Sequence, residues 1–448
     1  MSERGQWSSR IGFVLAAAGS AIGLGAIWKF PYMAGMNGGG AFLLVYLAAV
    51  LGVGISMMLA ELAMGRAVQR DAITSFAALG GPVGVFFGWL SLLAAFLILA
   101  FYCVIGGWTV GYLGLALSGG LFDPVDSAGF ARHHQEFIAD PVASLLLFAV
   151  FLALTALILA GGIKSGIERV SKVLMPILFG LLLLMIIRSV TLPGAMEGVL
   201  FLLRPDIGGI TPKVLIDALG FACFSLSLGF GAMLTYGSYV RKEENMAKSA
   251  LWVVCLQSIC AVLAGLMIMP AVFAFGMQPT EGPGLTYITL PAVFKAMPGG
   301  QLFAILFFLL LLIAALTSSI SLLEPLVARL IDRHGFSRAK AAIVVLLVLF
   351  IPGIPAAWSF GGADLPRIFG QSPFGFMDSI TSNLMLPLNA MAACLIMGWR
   401  NLPLFLQELY LREPKQGVYP GWVRSVVACC RFLAPGVIVV ILGANLLF

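Results

Sequence analysis

The chain has 448 residues, 60% of them hydrophobic and only 10% charged, with a mean hydropathy of +1.03. That is far more apolar than a soluble domain and makes the chain a polytopic membrane protein. The net charge of +6 is spread over short loops, which argues against a nucleic-acid surface.

Apolar runs recur from end to end, most reaching the ~20 residues a membrane helix needs. About eleven spans are expected, at 10–36, 40–65, 84–118, 141–161, 166–190, 212–239, 246–276, 298–331, 338–355, 373–399 and 424–447. The first is too long for a cleaved signal peptide. Lys29-Phe30-Pro31 follows it instead of a small-residue cleavage site. Within it lies Gly19-Ser20-Ala21-Ile22-Gly23-Leu24-Gly25. Each glycine weakens a helix by about 0.5–1 kcal/mol relative to alanine. Two readings stand: an opened backbone against a cavity, or a packing face where small residues admit a neighbour.

Further spans carry isolated polar groups. Glu61 and Glu324 are intramembrane acids, which are costly and therefore functional candidates or buried structural acceptors. Tyr102 lies mid-span and its hydroxyl needs a partner. Pro176 leaves the Lys172 carbonyl without a helical donor, and Gly166 weakens the same span nearer its start. The sixth span repeats the oddity of the first, with Ser225-Leu226-Ser227-Leu228-Gly229-Phe230-Gly231. Two interrupted spans in corresponding positions point to an inverted repeat with a midplane site, a rule drawn from secondary transporters. Thr317-Ser318-Ser319 in the eighth span either bond back to their own helix or offer oxygens to a hard cation. The segments 276–298 and 355–372, rich in glycine and proline, are expected at the outer face, the first as a lid.

Basic residues crowd one set of loops: Arg4, Arg10, Arg66, Arg70, Lys164, Arg169, Lys172, Arg241, Lys242, Lys248, Arg329, Arg333, Arg338, Lys340, Arg400, Arg412, Lys415 and Arg424. That set is expected in the cytoplasm, with the N-terminus inside and the C-terminus outside. The seven cysteines fall in apolar segments and read as packing residues, not a disulfide frame. His133, His134 and His334 read as solvated loop residues. No nucleophile–base or metal-spaced set is present, so an enzyme reading has no support.

Three motifs share a family likeness. Trp7-Ser8-Ser9-Arg10 with Gly19 to Pro31 and Asn37-Gly38-Gly39-Gly40-Ala41-Phe42, Ser225 to Tyr239, and Leu316-Thr317-Ser318-Ser319 resemble the neurotransmitter:sodium symporters. The likeness spans the chain and is strongest to the shorter, eleven-helix bacterial amino-acid transporters. It implies an all-α membrane protein of the leucine-transporter type, a single domain over 1–448. Residues 10–190 and 212–399 would be inverted repeats, and 424–447 an added helix. It implies sodium-coupled symport of a neutral, hydrophobic or aromatic amino acid across a bacterial inner membrane. An ion channel, or a substrate-binding sensor of the same fold, is the alternative.

The resemblance also implies site residues. Ala21, Gly23 and Gly25 would offer backbone to the substrate carboxylate, and Tyr102 its hydroxyl. Phe224, Ser225, Ser227, Phe230, Ser318 and Leu322 would line the rest. Carbonyls of Gly19, Ile22 and Ala314, with the Thr317 and Ser318 hydroxyls, would form a second sodium site. Ala21, Ser225 and Gln257 remain for the first. Lys29 and Asp378 would be an outer gate. Arg4 and Asp332 would be an inner gate, supported by Trp7, Ser238, Tyr239 and Glu324. Departures fall on the first site, where Ala26 replaces the family's asparagine. They also fall on the chloride position, where Phe221 replaces glutamine, Ala261 supplies no acid and Tyr46 is kept. Lysine replaces arginine at the outer gate, which removes a bidentate pair.

Overall fold

The structure is a computed structural model that describes residues 5–124, 126–279, 284–361, 364–411 and 418–447. It is helical throughout. α1 (Arg10–Ala21) and α2 (Gly25–Met36) are two halves of one span, bent by 47° at the break. α3 (Gly40–Val68) returns across the bundle. α4 (Ala72–Ser118) turns at Gly81, whose φ of 63° lies in the left-handed region, just before Pro82. The expected span at 84–118 is thus preceded by a helical arm.

α5 (Ser127–Ala139) lies in the loop before α6 (Pro141–Ala160), and α7 (Ile163–Val190) follows. α8 (Ala195–Leu203) leads to α9 (Pro212–Ser225) and α10 (Ala232–Gly237), the interrupted sixth span. α11 (Met246–Ala274), α12 (Leu285–Ala296), α13 (Gly300–His334), α14 (Arg338–Trp358) and α15 (Pro373–Arg400) come next. α16 (Leu402–Leu409) and α17 (Gly421–Ala444) end the described chain.

Nine of these are long and apolar enough to cross a membrane, and the bent α1/α2 pair is a tenth. The segment 212–239, expected as the sixth span, is divided between α9 and α10, neither long enough to cross a membrane alone. α5, α8, α12 and α16 are additional helices in segments expected to be loops. α14 runs through Pro352 and Pro355 to Trp358, beyond the expected end at 355.

The central helix is α13, two thirds buried along its most apolar window, whereas α7 is only 28% buried there. Leu157 on α6, Val173 and Ile187 on α7, and Leu347 and Ile351 on α14 are exposed, as lipid-facing side chains are. α13 packs on α4, α6 and α7, and it also touches α1. This arrangement encloses the two broken spans, so their freed backbone faces protein and not hydrocarbon, as the bilayer requires.

Candidate functional site

α1 ends where the chain leaves helical geometry at Ile22 (ψ 36°). Opposite it, α9 ends at Ser225 and α10 restarts at Ala232. Between them Ser227 adopts a φ of 56° and Gly229 one of 87°. Gly229 is required there. A Cβ would meet the Leu386 carbonyl oxygen at 2.3 Å, and the freed Gly229 N–H donates to Glu61 Oε1 at 2.7 Å. Glu61 is thus an acceptor for the opened sixth span.

The two breaks face one enclosed cavity. Ala21, Gly23, Gly25, Tyr102, Phe224, Ser225, Ser227, Phe230, Ser318 and Leu322 all line it. Ser20, Ile98 and Ser321 join them, and sequence reasoning missed these three. Ile98 sits one turn before Tyr102 and Ser321 one turn after Ser318, so helical spacing was the available signal. The free volume is about 30 Å³, room for one or two waters.

Hydroxyls stitch the cavity together. Ser318 Oγ lies 2.6 Å from the Ser20 carbonyl and 3.3 Å from that of Gly19. Ser227 Oγ donates to the same Ser20 carbonyl at 2.9 Å, and Ser20 Oγ donates to Ser321 Oγ at 2.6 Å. Tyr102 accepts the Leu24 N–H at 3.1 Å, which leaves its own proton for another acceptor. A Cβ at position 23 would lie 1.9 Å from Ser318 Oγ and 2.8 Å from the Tyr102 hydroxyl. No side chain fits there.

Of the oxygens expected at the second sodium site, those of Gly19, Ala314, Thr317 and Ser318 are drawn together. Thr317 Oγ1 donates to the Ala314 carbonyl at 3.0 Å, and Thr317 Cβ is where a Gly19 side chain would point. Ile22, at the α1 cap, has left the helix. All of these residues are buried.

The other expected set differs. Tyr46 donates to Ser225 Oγ at 3.1 Å and accepts from Gln257 Nε2 at 2.6 Å. Gln257 is fully buried, and its Oε1 has no hydrogen-bond partner among the described residues. The Phe221 ring packs 5.3 Å from Tyr46 and within 6.2 Å of Phe30 and Phe42. The position where relatives place a glutamine is therefore apolar.

The expected outer pair does not close. No ion pair joins Lys29 and Asp378 among the described residues. Lys29 Nζ sits over the Phe224 ring, 4.5 Å from its centre, and Asp378 Oδ1 accepts from Ser382 at 3.0 Å. Lysine's single point charge is drawn to the ring face, where arginine's fork would reach a carboxylate. At the opposite face, Trp7 Nε1 donates to the Tyr236 carbonyl at 3.0 Å. Tyr239 donates to Glu324 Oε1 at 2.6 Å, and Arg338 grips both Glu324 oxygens at 2.5 and 2.9 Å. Arg338 was missed as a site residue because its charge reads as a loop charge. Ser238 is buried and donates only locally, to Thr235. Asp332 Oδ2 accepts the Asp71 N–H at 2.8 Å. Arg4 lies outside the described residues.

Two other readings resolve. The cysteines are all unpaired. His134 is not solvated: it is buried on α5, with Nδ1 2.8 Å from the Tyr112 hydroxyl and its ring stacked on Tyr287 at 5.6 Å. Burial, with His133 beside it, pushes the His134 imidazole down to about 4.

A largely apolar cavity edged by hydroxyls, at the crossing of two broken membrane helices, is the architecture of a secondary transporter. Comparison with known proteins supplies the family. The chain matches the sodium:neurotransmitter symporter family over residues 4–122 and 136–447, and it belongs to that family. It is 43% identical to the sodium-dependent transporter YhdH of Bacillus subtilis, covering 97% of this chain and 96% of that one. A sodium-dependent transporter of Haemophilus influenzae is 38% identical, over 99% of this chain and 98% of the relative. The crystal structure of MhsT in complex with L-phenylalanine superposes with a TM-score of 0.89 at 42% identity, covering 99% of this chain and all of that one. The protein is therefore a multi-pass, sodium-dependent transporter and not an enzyme.

Proposed function

We propose that the protein carries a neutral amino acid with an apolar, aliphatic or aromatic side chain into the cell, driven by sodium and by alternating access. The observation that carries this is Gly23. Position 23 is glycine, and no acidic side chain is among the described residues that line the cavity. The substrate must bring its own carboxylate, as an amino acid does and an amine does not. The Leu24 N–H already holds the Tyr102 oxygen, which leaves the phenolic proton to meet that carboxylate. Phe224, Phe230, Ile98 and Leu322 surround the rest and favour burial of a hydrocarbon side chain.

The cavity is too small for such a substrate as it stands, so the outer side must open to admit it. Sodium on Gly19, Ile22, Ala314, Thr317 and Ser318 would tie α1 to α13 and favour the substrate-competent form. A weaker sodium on Ala21, Ser225 and Gln257 would be completed by the substrate carboxylate. The two halves, 10–190 and 212–399, act as inverted repeats that rock about the cavity, with the basic face in the cytoplasm. The relative MhsT was solved with L-phenylalanine, which makes that amino acid the first candidate. The test is uptake of labelled phenylalanine into proteoliposomes. Saturable uptake that needs an inward sodium gradient, and that phenylethylamine does not inhibit, is the expected result. Equal inhibition by the amine would overturn the reading. Conductance without stoichiometric coupling would identify a channel instead.

A further inference from the structure

We propose that the cleft between the start of α4 and the end of α13 binds the phosphate headgroup of an anionic phospholipid. Arg70, Asp71, Thr74, Arg329, Asp332 and Arg333 line an open cleft of about 410 Å³. The two acids are turned into the scaffold. Asp71 Oδ1 caps the Ile73 and Thr74 N–H groups at 3.1 and 3.2 Å and takes Arg329 at 3.2 Å. Asp332 Oδ2 holds the Asp71 N–H. Arg70 and Arg333 are exposed, and neither forms an ion pair among the described residues. Positive charge therefore faces out of the cleft.

What lies beside it selects the occupant. The Arg329 guanidinium carbon sits 5.7 Å from the centre of the Trp89 ring. Trp89 is 56% exposed, and Val83, Val85 and Phe86 expose an apolar row just before it on α4. A tryptophan at the end of a span marks the lipid–water boundary. A basic pocket between membrane helices at that boundary suits an anionic headgroup, with the acyl chains along the Val83–Trp89 row. A free anion would use the arginines and leave the row uncovered.

The test is native mass spectrometry of the delipidated full chain. It is offered phosphatidylglycerol or phosphatidylcholine in mixed micelles, with and without millimolar inorganic phosphate. Wild type is expected to retain at least fivefold more phosphatidylglycerol than phosphatidylcholine. Arg70→Gln/Arg333→Gln is expected to fall to the phosphatidylcholine level. Lys340→Gln/Arg424→Gln, which removes the same charge at two other exposed positions, is expected to stay within twofold of wild type. An unchanged thermal midpoint checks that each variant is folded, and Arg333→Gln alone serves if the first double variant is not. Equal retention of the two lipids by wild type would overturn the proposal. So would equal loss in both double variants, or displacement by inorganic phosphate alone.

Discussion

At the basic face, the chain before α1 is bound to two other elements, and a third polar cluster lies on α13. Trp7 is tied to α10, Ser8 N–H and Ser9 Oγ reach Glu168 on α7 at 2.8 and 3.1 Å, and Glu324 on α13 gathers Tyr239 and Arg338. At the opposite face, α2 meets the sixth span through Lys29 over the Phe224 ring, through Phe30 against Phe221, and through Lys213 reaching Asn37 at 3.5 Å. The first closure is a set of directional, partly buried polar bonds that must break together. The second is a cation–π contact, worth about 0.5–2 kcal/mol, over apolar packing and one long hydrogen bond. Opening at the Lys29 face is therefore expected to cost less than opening at the Glu324 face. On the proposed function, sodium and substrate bound between the two ends would shift that balance.

Breaking the polar end is expected to have the largest effect. Glu324→Gln leaves Arg338 with a neutral partner, and losing one member of a buried pair costs about 3 kcal/mol. Uptake is expected to fall more than tenfold, with a lower thermal midpoint. Unchanged uptake in proteoliposomes would mean that the two ends are not unequal. At the other end, Lys29→Met removes the cation but leaves the ring, and substrate affinity is expected to weaken up to tenfold, in line with about 1 kcal/mol. Isothermal titration of the purified variant checks this. If it costs more than Glu324→Gln, the comparison is reversed.

Pro176→Ala is expected to slow turnover several-fold with binding unchanged. It restores a helical donor in α7, close to Glu168, and so stiffens the span that must loosen for inward release. Equal turnover at saturating substrate would make Pro176 a static kink. The smallest effect is expected at His134. Its folded-state value lies below that of the unfolded chain, so its contribution to stability is complete above about 6.5 and is lost as pH falls toward about 4. The thermal midpoint is expected to drop by a few degrees between pH 7 and 5, and His134→Gln to flatten that slope.

Much of this was legible beforehand because it is local. Clustered glycines and serines mark Gly19 to Gly25 and Ser225 to Gly231 as places where a helix will not hold, and those are the breaks. Family motifs carried the ten cavity residues to one place. What was hidden depends on partners far along the chain. Ser20 and Ser321 bond across 301 residues, and neither alone differs from any buried serine. Arg338 reads as a loop charge until α14 folds back beside Glu324. His134 looks solvated until α5 lays it against Tyr112 and Tyr287. Lys29 and Asp378 are well placed for a gate, yet which partner the lysine takes depends on where the Phe224 ring sits.

The central claim is that sodium at the Thr317–Ser318 site ties α1 to α13 and so couples the ion to substrate. Equilibrium binding of labelled phenylalanine across a sodium titration tests it most directly, in wild type, Thr317→Ala and Gln257→Ala. Thr317 does not line the cavity, so its loss leaves the substrate contacts intact. The account predicts that Thr317→Ala shifts the half-saturating sodium concentration upward at least tenfold, while Gln257→Ala shifts it two- to threefold. A wild-type sodium response in Thr317→Ala together with its loss in Gln257→Ala would contradict the account and place the coupling at the other site.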